Sequence, residues 1–257
     1  LLAEMPEYRA QGEQFPREEG EQRRLLRSLM NLRPPVPLDP DFLAAQDALL
    51  SAETAEKGVV DGDALVPTQA DPRLVLWQGD ITRLRADAIV NAANSALLGC
   101  FHPCHGCIDN AIHSAAGLQL RDECFLLMEA QGHPEPNGRA KLTGGYNLPA
   151  RHVLHTVGPI VRGRVTQRDR EELASCYRAC LELAAERGLH SVAFCCISTG
   201  EFHFPNREAA QIAVDTVKEC LRQKTSIRRV IFNVFKDLDA EIYRGLLGPD
   251  RGAETGP

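Results

Sequence analysis

Five short apolar segments, separated by longer stretches with helical periodicity, constrain the fold of this chain most. They are LVLWQ (74–78), AIVNA (88–92), VLHTV (153–157), VAFCCI (192–197) and VIFNV (230–234). Each is almost continuously apolar, as in strands of a sheet that is covered on both faces. Residues 168–188 and 206–223 place apolar side chains on one face of a helix. Strands that alternate with helices predict an α/β domain with a mainly parallel central sheet.

The first 70 residues have a different pattern. Apolar residues at helical spacing predict a helix that ends at Pro34, and a second helix is predicted from residue 41 to Gly58. We therefore divide the chain into a helical N-terminal extension, 1–70, and a main domain, 71–257. The extension is expected to pack on the domain, because its apolar side chains need a surface to cover: Leu25, Leu29, Phe42 and Leu49.

Charge and cysteine content narrow the class of protein. The chain has 257 residues, a formal net charge of -6 and nine cysteines. The negative charge argues against non-specific binding to nucleic acid, which needs clustered Lys and Arg. An odd number of cysteines argues against a full set of disulfides and indicates a reducing compartment. No apolar run approaches the ~18 residues of a membrane span. We expect a cytoplasmic monomer with no nucleic-acid or membrane partner.

Three loops that follow predicted strands carry the residue types needed for chemistry. Asp80 lies in QGDIT, Asn94 ends VNAAN, and residues 198–203 lie in CCISTGEFHFP. Ligands of parallel sheets bind at the carboxyl ends of the strands, where these loops should meet. The backbone N–H groups of the third loop suit a phosphate, but the chain has no Gly-Lys-Ser/Thr and hence no nucleoside-triphosphatase motif. Each loop alone also fits an ordinary helix cap or turn.

The loop GCFHPCHGC, residues 99–107, concentrates thiols and imidazoles. These groups are typical zinc ligands, and a catalytic zinc keeps one coordination position open whereas a structural zinc has four protein ligands. The number of candidate ligands fits a catalytic and a structural zinc site equally, because His102 is a further candidate. The spacing of Cys100, Cys104 and Cys107 also matches the iron–sulfur loop of radical S-adenosylmethionine enzymes. A reduced loop without metal is a third interpretation.

Four motifs in this order resemble the macrodomain family. They are GDIT, IVNAAN, TGGYNLPA..VLHTVGP and ISTG.F.FP, and the resemblance extends over residues 73–247. Macrodomains are modules that bind ADP-ribose and in some cases hydrolyse its bond to protein. The resemblance implies a three-layer α/β/α fold with a mixed, mostly parallel central sheet.

One departure from the usual family pattern is informative. A glycine-rich turn normally precedes DGAIHRAAG, whereas here GCFHPCHGC precedes IDNAIHSAAG. This resembles the zinc-containing branch of macrodomain ADP-ribosyl hydrolases, which also carries a helical N-terminal extension. The resemblance implies a catalytic Zn²⁺ with an open position, held by Cys100, His105 and Cys107, and it makes Cys104 a bystander.

The resemblance also implies roles for residues around a bound ADP-ribose. Asp80 would accept a hydrogen bond from the adenine amino group, Ile81 would contact the ligand beside it, and Phe235 would stack on the adenine. Asn94 would hold the distal ribose, and Asp109 would position or activate the attacking water. Backbone amides at the start of the 108–116 helix and in one loop would cradle the pyrophosphate. The loop residues are Ser198, Thr199, Gly200, Glu201, Phe202 and His203.

The expected function is therefore zinc-assisted hydrolysis of mono-ADP-ribose from modified protein side chains, with an ester to Asp or Glu as the linkage. Two alternatives remain open: a non-catalytic ADP-ribose reader whose zinc braces the loop, and a deacetylase of O-acetyl-ADP-ribose. Asp109 could also be a first-turn acid favoured by the helix dipole. His113 and His155 are expected to be packing or hydrogen-bonded core histidines.

Overall fold

From residue 74 onwards, helices and strands alternate along the chain, as the apolar pattern predicts. The computed structural model describes residues 1–252. The helices are α1 (Arg9–Glu13), α2 (Glu19–Leu32), α3 (Pro40–Lys57), α4 (Ile108–Ala116), α5 (Leu118–Gln131), α6 (Gln167–Glu186), α7 (Asn206–Leu221) and α8 (Asp237–Leu247). The strands are β1 (Val60–Asp61), β2 (Leu74–Gln78), β3 (Leu84–Arg85), β4 (Ala88–Ala92), β5 (Ala140–Gly144), β6 (His152–Thr156), β7 (Ser191–Phe194) and β8 (Arg229–Val234). None of these helices is both long and apolar enough to cross a lipid bilayer.

Six strands form the central sheet in the order β2-β8-β7-β4-β6-β5. Neighbouring strands are parallel except β5, which runs antiparallel to β6. The prediction of a mixed, mostly parallel sheet is confirmed. The apolar pattern does not indicate β5, because this edge strand is only half-buried and includes a lysine and a threonine.

Two groups of helices cover this sheet. Helices α6, α7 and α8 contact one another in a row, while α4 and α5 contact each other and lie against β4 and β5. Successive side chains of a strand point to opposite faces, and every residue of β7 and nearly every residue of β4 and β8 is buried. Both faces of the sheet are therefore covered, and the three-layer architecture is confirmed.

One predicted strand is shorter than its apolar sequence suggests. Strand β7 ends at Phe194, although the apolar run continues to Ile197. Cys195 and Ile197 are buried all the same, because the chain turns across the end of the sheet before α7. Burial and not strand pairing explains the length of this apolar run.

The extension forms the two predicted helices, α2 and α3. The carboxylate of Asp39 caps α3 by accepting from the N–H groups of Asp41 (2.9 Å) and Phe42 (3.0 Å). Gly58 ends α3 at a φ of 77°, a conformation that favours glycine. The residues that follow form β1, which pairs in parallel with β3 of the domain.

The extension packs on the domain through a small second core. Met30 of α2, Leu50 of α3 and Leu118 of α5 are its buried members. Of the residues expected to make this contact, Leu29 is buried, whereas Leu49 remains 37% exposed. The extension and the domain therefore share one apolar interface.

Met30→Ala should lower the free energy of unfolding by about 2–4 kcal/mol, because it empties part of this shared core. Leu49→Ala, also in the extension but largely exposed, should cost about 0.5 kcal/mol or less. Urea unfolding of both variants measures the difference. Equal, small losses would mean that the extension does not contribute to the stability of the folded chain.

Candidate active site

A cleft of about 560 Å³ opens at the carboxyl ends of the parallel strands. Its walls are the loops that follow β2, β4, β7 and β8 together with the N-terminus of α4. This is where open α/β sheets bind ligands. Most residues singled out from the sequence line it: Asp80, Ile81, Asn94, Cys100, His105, Cys107, Asp109, Ser198, Thr199, Gly200, Glu201, Phe202 and Phe235.

His203 is the exception among the predicted ligand-binding residues. It is exposed and is not part of the cleft wall. Its backbone N–H donates to the carbonyl of Gly200 at 3.1 Å, so it closes the turn behind the loop. The prediction that the cradle extends to His203 is not borne out by this geometry.

The end of the cleft beside β2 carries Asp80. Its Oδ1 accepts from the backbone N–H (3.0 Å) and the hydroxyl (2.7 Å) of Thr82, so the helix-cap interpretation describes part of its role. A Cβ at Gly79 would lie 2.5 Å from the ring of Trp77, which restricts this turn to glycine. Phe235, which follows β8, is 75% exposed on the cleft wall. An exposed aromatic ring in the same cleft as a carboxylate suits a base or another flat polar ring.

Free backbone donors line the middle of the cleft. Among residues 1–252, the N–H groups of Gly200, Glu201 and Phe202 have no hydrogen-bond acceptor, and neither do those of Ile108 and Asp109 in the first turn of α4. A helix N-terminus and a turn with free N–H groups attract anions. Of the residues that form the cleft, all in the described part of the chain, Lys236 is the one Lys or Arg. The cleft can therefore hold a diphosphate without a basic patch.

The shape of the 198–202 loop depends on a close approach to the loop after β6. Ser198 adopts a φ of 64° and is buried. A Cβ at Gly158 would lie 2.1 Å from the hydroxyl of Ser198 and 2.8 Å from Cγ2 of Ile197. The carbonyl of Ser198 accepts from the N–H of Phe204 at 2.9 Å. The absence of a side chain at position 158 therefore lets the 198–202 loop take its conformation.

The side chains of Cys100, His105 and Cys107 meet at the other end of the cleft. One ligand atom from each lies within 4.8 Å of the other two, and Cys100 Sγ is 3.8 Å from His105 Nδ1. Ligand atoms of a tetrahedral zinc lie roughly 3.5 Å apart, so a small closure of this group suffices to hold the ion. On the other side of the imidazole, Nε2 of His105 lies 3.8 Å from a carboxylate oxygen of Glu201. The donor set, two thiols and one imidazole, fits zinc.

The thiol of Cys104 lies apart from the other two thiols of the loop, against helix α2. Its Sγ lies 3.3 Å from the hydroxyl of Ser28 and 3.5 Å from the carbonyl of Arg24, both in α2. It does not form part of the cleft wall. An iron–sulfur cluster of the radical-enzyme type needs all three thiolates to converge, which this geometry does not support.

Asp109 is the buried carboxylate of the site. Its Oδ1 accepts from Nδ2 of Asn91 at 2.7 Å, and its Oδ2 accepts from Nδ2 of Asn94 at 3.3 Å. Burial raises the pKa of Asp109 to about 6, against the opposing effect of the Asn91 hydrogen bond. These two amides, which come from the end of β4, hold the carboxylate, so its position involves more than the first turn of α4.

Asn91 was missed by sequence reasoning, although a signal existed. It is the single amide within the apolar run AIVNA, and an amide in a buried strand must find polar partners. The partners are Asp109 and Nδ1 of His155, at 3.2 Å. Asn91 therefore connects the site carboxylate to the core behind it.

The histidines behind Asp109 are neutral core residues, as expected. Nε2 of His155 lies 3.0 Å from the hydroxyl of Thr143, and burial lowers the pKa of His155 to about 3. Burial likewise lowers the pKa of His113 well below its usual value, and its Nε2 lies 3.5 Å from Oδ1 of Asp109. Together with Cys124 these rings could form a second group of metal ligands, but the hydrogen bonds of His155 already engage both of its nitrogens.

Comparison with known proteins places the chain in a family. The model of the Macro domain family matches residues 90–213. A protein-ADP-ribose hydrolase of Treponema medium is 49% identical over 249 residues, which cover 96% of this chain and 95% of that protein. The chain belongs to the macrodomain family. A protein-ADP-ribose hydrolase of Staphylococcus aureus (strain Mu50 / ATCC 700699) is 49% identical to this macrodomain over 227 residues, 88% of this chain and 85% of the relative.

Solved macrodomain structures agree with this assignment. A mutant macrodomain of Oceanobacillus iheyensis, solved with ADPR, superposes with a TM-score of 0.62 at 39% identity and covers 67% of this chain and 90% of its own. The Trypanosoma brucei macrodomain in complex with ADP-ribose gives a TM-score of 0.67 at 32% identity, with 86% of this chain and 95% of its own covered.

Gly158→Ala should destabilise this macrodomain by about 1–3 kcal/mol, because the new methyl group would overlap the hydroxyl of Ser198. Gly200→Ala, in the same loop cluster, has no neighbour within 4 Å of the added Cβ and should change stability by about 0.5 kcal/mol or less. The free energy of unfolding in urea distinguishes the two. If both variants were equally stable, close packing would not determine the loop shape.

Proposed function

We propose that this macrodomain is a protein-ADP-ribose hydrolase that removes single ADP-ribose units from modified side chains, with an ester to Asp or Glu as the linkage. The observation that carries the proposal is the combination in one cleft of a buried carboxylate, Asp109, with the thiols and imidazole of Cys100, His105 and Cys107. Relatives named protein-ADP-ribose hydrolase are 49% identical to it over most of the chain, which supports the same activity here.

ADP-ribose would lie along the cleft from β2 towards α4. Asp80 would accept from the adenine amino group, and the exposed ring of Phe235 would stack on the base. The free N–H groups of the 200–202 loop and of α4 would donate to the two phosphates. This order would bring the distal ribose to Asn94 and Asp109, which lie beside each other.

Cys100, His105 and Cys107 would hold Zn²⁺ as two thiolates and one imidazole. Three protein ligands are the pattern of a catalytic zinc, which keeps a position open for water or substrate. When bound, the ion would supply orientation of a ribose hydroxyl or a lowered pKa of a bound water. The position of the three ligands in the cleft wall supports contact with the substrate.

Asp109 would accept a proton from the water that attacks the anomeric carbon of the distal ribose, while the bond from that carbon to the modified side chain breaks and the Asp or Glu carboxylate leaves with the electron pair. The carboxylate is suited to this role because the amides of Asn91 and Asn94 hold it from both sides while its residue still lines the cleft. A fixed acceptor within reach of the water is the first requirement of a general base. Asn94 would orient both the carboxylate and the ribose.

The purified chain should release ADP-ribose from a mono-ADP-ribosylated protein and contain about one zinc ion per molecule. Cys107→Ala and His105→Ala should abolish release, since each removes a zinc ligand. Asp109→Asn should lower kcat by about 100-fold or more while ADP-ribose binding changes little, because the amide keeps the shape but not the proton acceptor. Chromatographic assay of released ADP-ribose, with metal content measured on the same samples, tests the unmodified chain and the three variants.

The same assays distinguish the proposed hydrolase from the two alternative functions, an ADP-ribose reader and a deacetylase. Tight binding of ADP-ribose with zinc present and no release from any linkage would make the chain a reader whose zinc is a brace. Release of acetate from O-acetyl-ADP-ribose without release from a modified protein would make it a deacetylase. Full turnover in the Cys107 variant would contradict a catalytic role of zinc.

Phe235→Ala should weaken ADP-ribose binding about tenfold or more, because stacking on a base is worth ~1–3 kcal/mol. The ring is 75% exposed, so its removal should leave the stability of the fold unchanged. Leu238→Ala is the matched control, since Leu238 is 55% exposed three residues later and does not form part of the cleft wall. Calorimetric titration with ADP-ribose gives both constants. Equal affinities of the two variants would argue against adenine stacking at this position.

A further inference from the structure

The loop that carries Cys100 and His105 has little regular structure of its own. Residues 97, 99 and 104 all have positive φ values, of 58°, 79° and 51°. Only position 99 is a glycine, so Leu97 and Cys104 adopt a backbone conformation that is unfavourable for their residue types. Such a conformation persists only when surrounding groups stabilise it. Side chains of α2, α4 and α5 contact the loop from outside and supply this support.

Asn31 of α2 joins this loop to α4. The side chain is almost completely buried, and its Oδ1 accepts from the backbone N–H of Cys104 at 2.9 Å. Its Nδ2 donates to the hydroxyl of Ser114 in α4 at 3.0 Å. One amide of the extension thus uses both of its ends to hold the loop at a fixed distance from the helix that carries Asp109.

Arg27, one turn earlier in α2, acts on the loop through Asn110. Its Nη2 and Nε donate to Oδ1 of Asn110 at 2.7 and 3.2 Å. Nδ2 of Asn110 donates to the carbonyl of His102 at 3.0 Å, and the Asn110 N–H lies 3.4 Å from Sγ of Cys107. Arg27 therefore orients the side chain of Asn110, which contacts the loop near His105. The backbone of Asn110 also contacts Cys107, a proposed zinc ligand.

Arg121 of α5 connects the end of α2 to the start of the loop. Its Nη1 donates to the carbonyls of Met30 (2.9 Å), Asn31 (3.0 Å) and Arg33 (2.5 Å). Its Nε donates to the carbonyl of Leu98 at 2.7 Å, and the guanidinium carbon lies 4.3 Å from the centre of the Phe101 ring. The same side chain thus fixes the position of α2 and of the loop.

We propose that helix α2 is a structural part of the metal centre, in which Arg27 and Asn31 are positioning residues. They keep loop 98–107 in the conformation that brings Cys100, His105 and Cys107 together. A loop whose donors are already in place loses less conformational entropy when it binds an ion, so its affinity is higher. The metal part of this proposal rests on the proposed function, whereas the ordering of the loop does not.

Arg27→Ala and Asn31→Ala are the test variants, and Arg23→Ala is the matched control of Arg27→Ala. Arg23 lies one turn away in the same helix and pairs with Glu53 of α3, and its side chain makes no hydrogen bond to residues 98–107. Two measurements are made on the full chain: hydrogen–deuterium exchange of peptides from residues 98–107, and zinc affinity in competition with a chelator. Exchange of peptides from β4 and β6 reports whether the fold as a whole has weakened.

Arg27→Ala should accelerate exchange in 98–107 about tenfold, the effect of losing a charged hydrogen bond, with β4 and β6 unchanged. It should also weaken zinc binding ~10-fold or more, as removal of outer contacts of a metal ligand does. Arg27→Lys, which keeps the charge and one donor, should restore part of both. Arg23→Ala should leave both at the values of the unmodified chain.

The proposal is overturned if Arg27→Ala and Asn31→Ala leave loop exchange at the unmodified rate, or if they accelerate it no more than they accelerate β4 and β6. Unchanged zinc affinity in a variant with a mobile loop would overturn the link to the metal. Neither measurement uses turnover, so absence of hydrolase activity would contradict the proposed function alone. If the unmodified chain bound no zinc, the proposed metal centre would fail, and the exchange rates would decide the role of α2.

Discussion

The arrangement of α2, α5 and loop 98–107 depends on the hydrogen bonds of one buried guanidinium, that of Arg121. A buried charge is costly unless hydrogen bonds compensate it, and here four backbone carbonyls do so. Burial lowers the pKa of Arg121 to about 10, which still leaves it charged at neutral pH. The carbonyls of Met30 and Asn31 lie in the last turn of α2, where they have no partner within the helix, and that of Arg33 directly follows it. The guanidinium of Arg121 in α5 and the carbonyls at the end of α2 and at Leu98 therefore find their hydrogen-bond partners only when the three segments pack together.

The middle and the far end of the cleft differ in the charge that they favour. Its middle presents backbone N–H groups and a single lysine, which attract an anion without concentrating positive charge. Its far end buries Asp109 beside neutral histidines, an arrangement that raises the pKa of the carboxyl group to about 6. Burial of a carboxylate against so few donors is unfavourable for folding, and such groups concentrate at functional sites. The amides of Asn91 and Asn94 offset part of this cost.

The sheet and most of the cleft could be predicted from local sequence. Apolar runs identify the buried strands, and parallel pairing brings the loops after them to one edge, so Asp80, Asn94 and Ser198 could be grouped before any contact was known. Strand β5 escaped because an edge strand needs no continuous apolar run. The end of β7 was misplaced because apolar character reports burial, and burial continues beyond the last paired residue.

The sequence by itself determined the order of the five strands at the centre of the sheet, the loops that form the cleft and the ligand types within them. The family resemblance implied how the thiols of the loop are divided, but only the tertiary structure gives the physical reason. Their spacing leaves three cysteines equivalent, whereas contacts with α2, more than 70 residues away in sequence, draw Cys104 from the other two. The supporting residues Arg27, Asn31 and Arg121 were likewise invisible to local pattern. Their partners lie on other elements, and a hydrogen bond depends on distance in space and not along the chain.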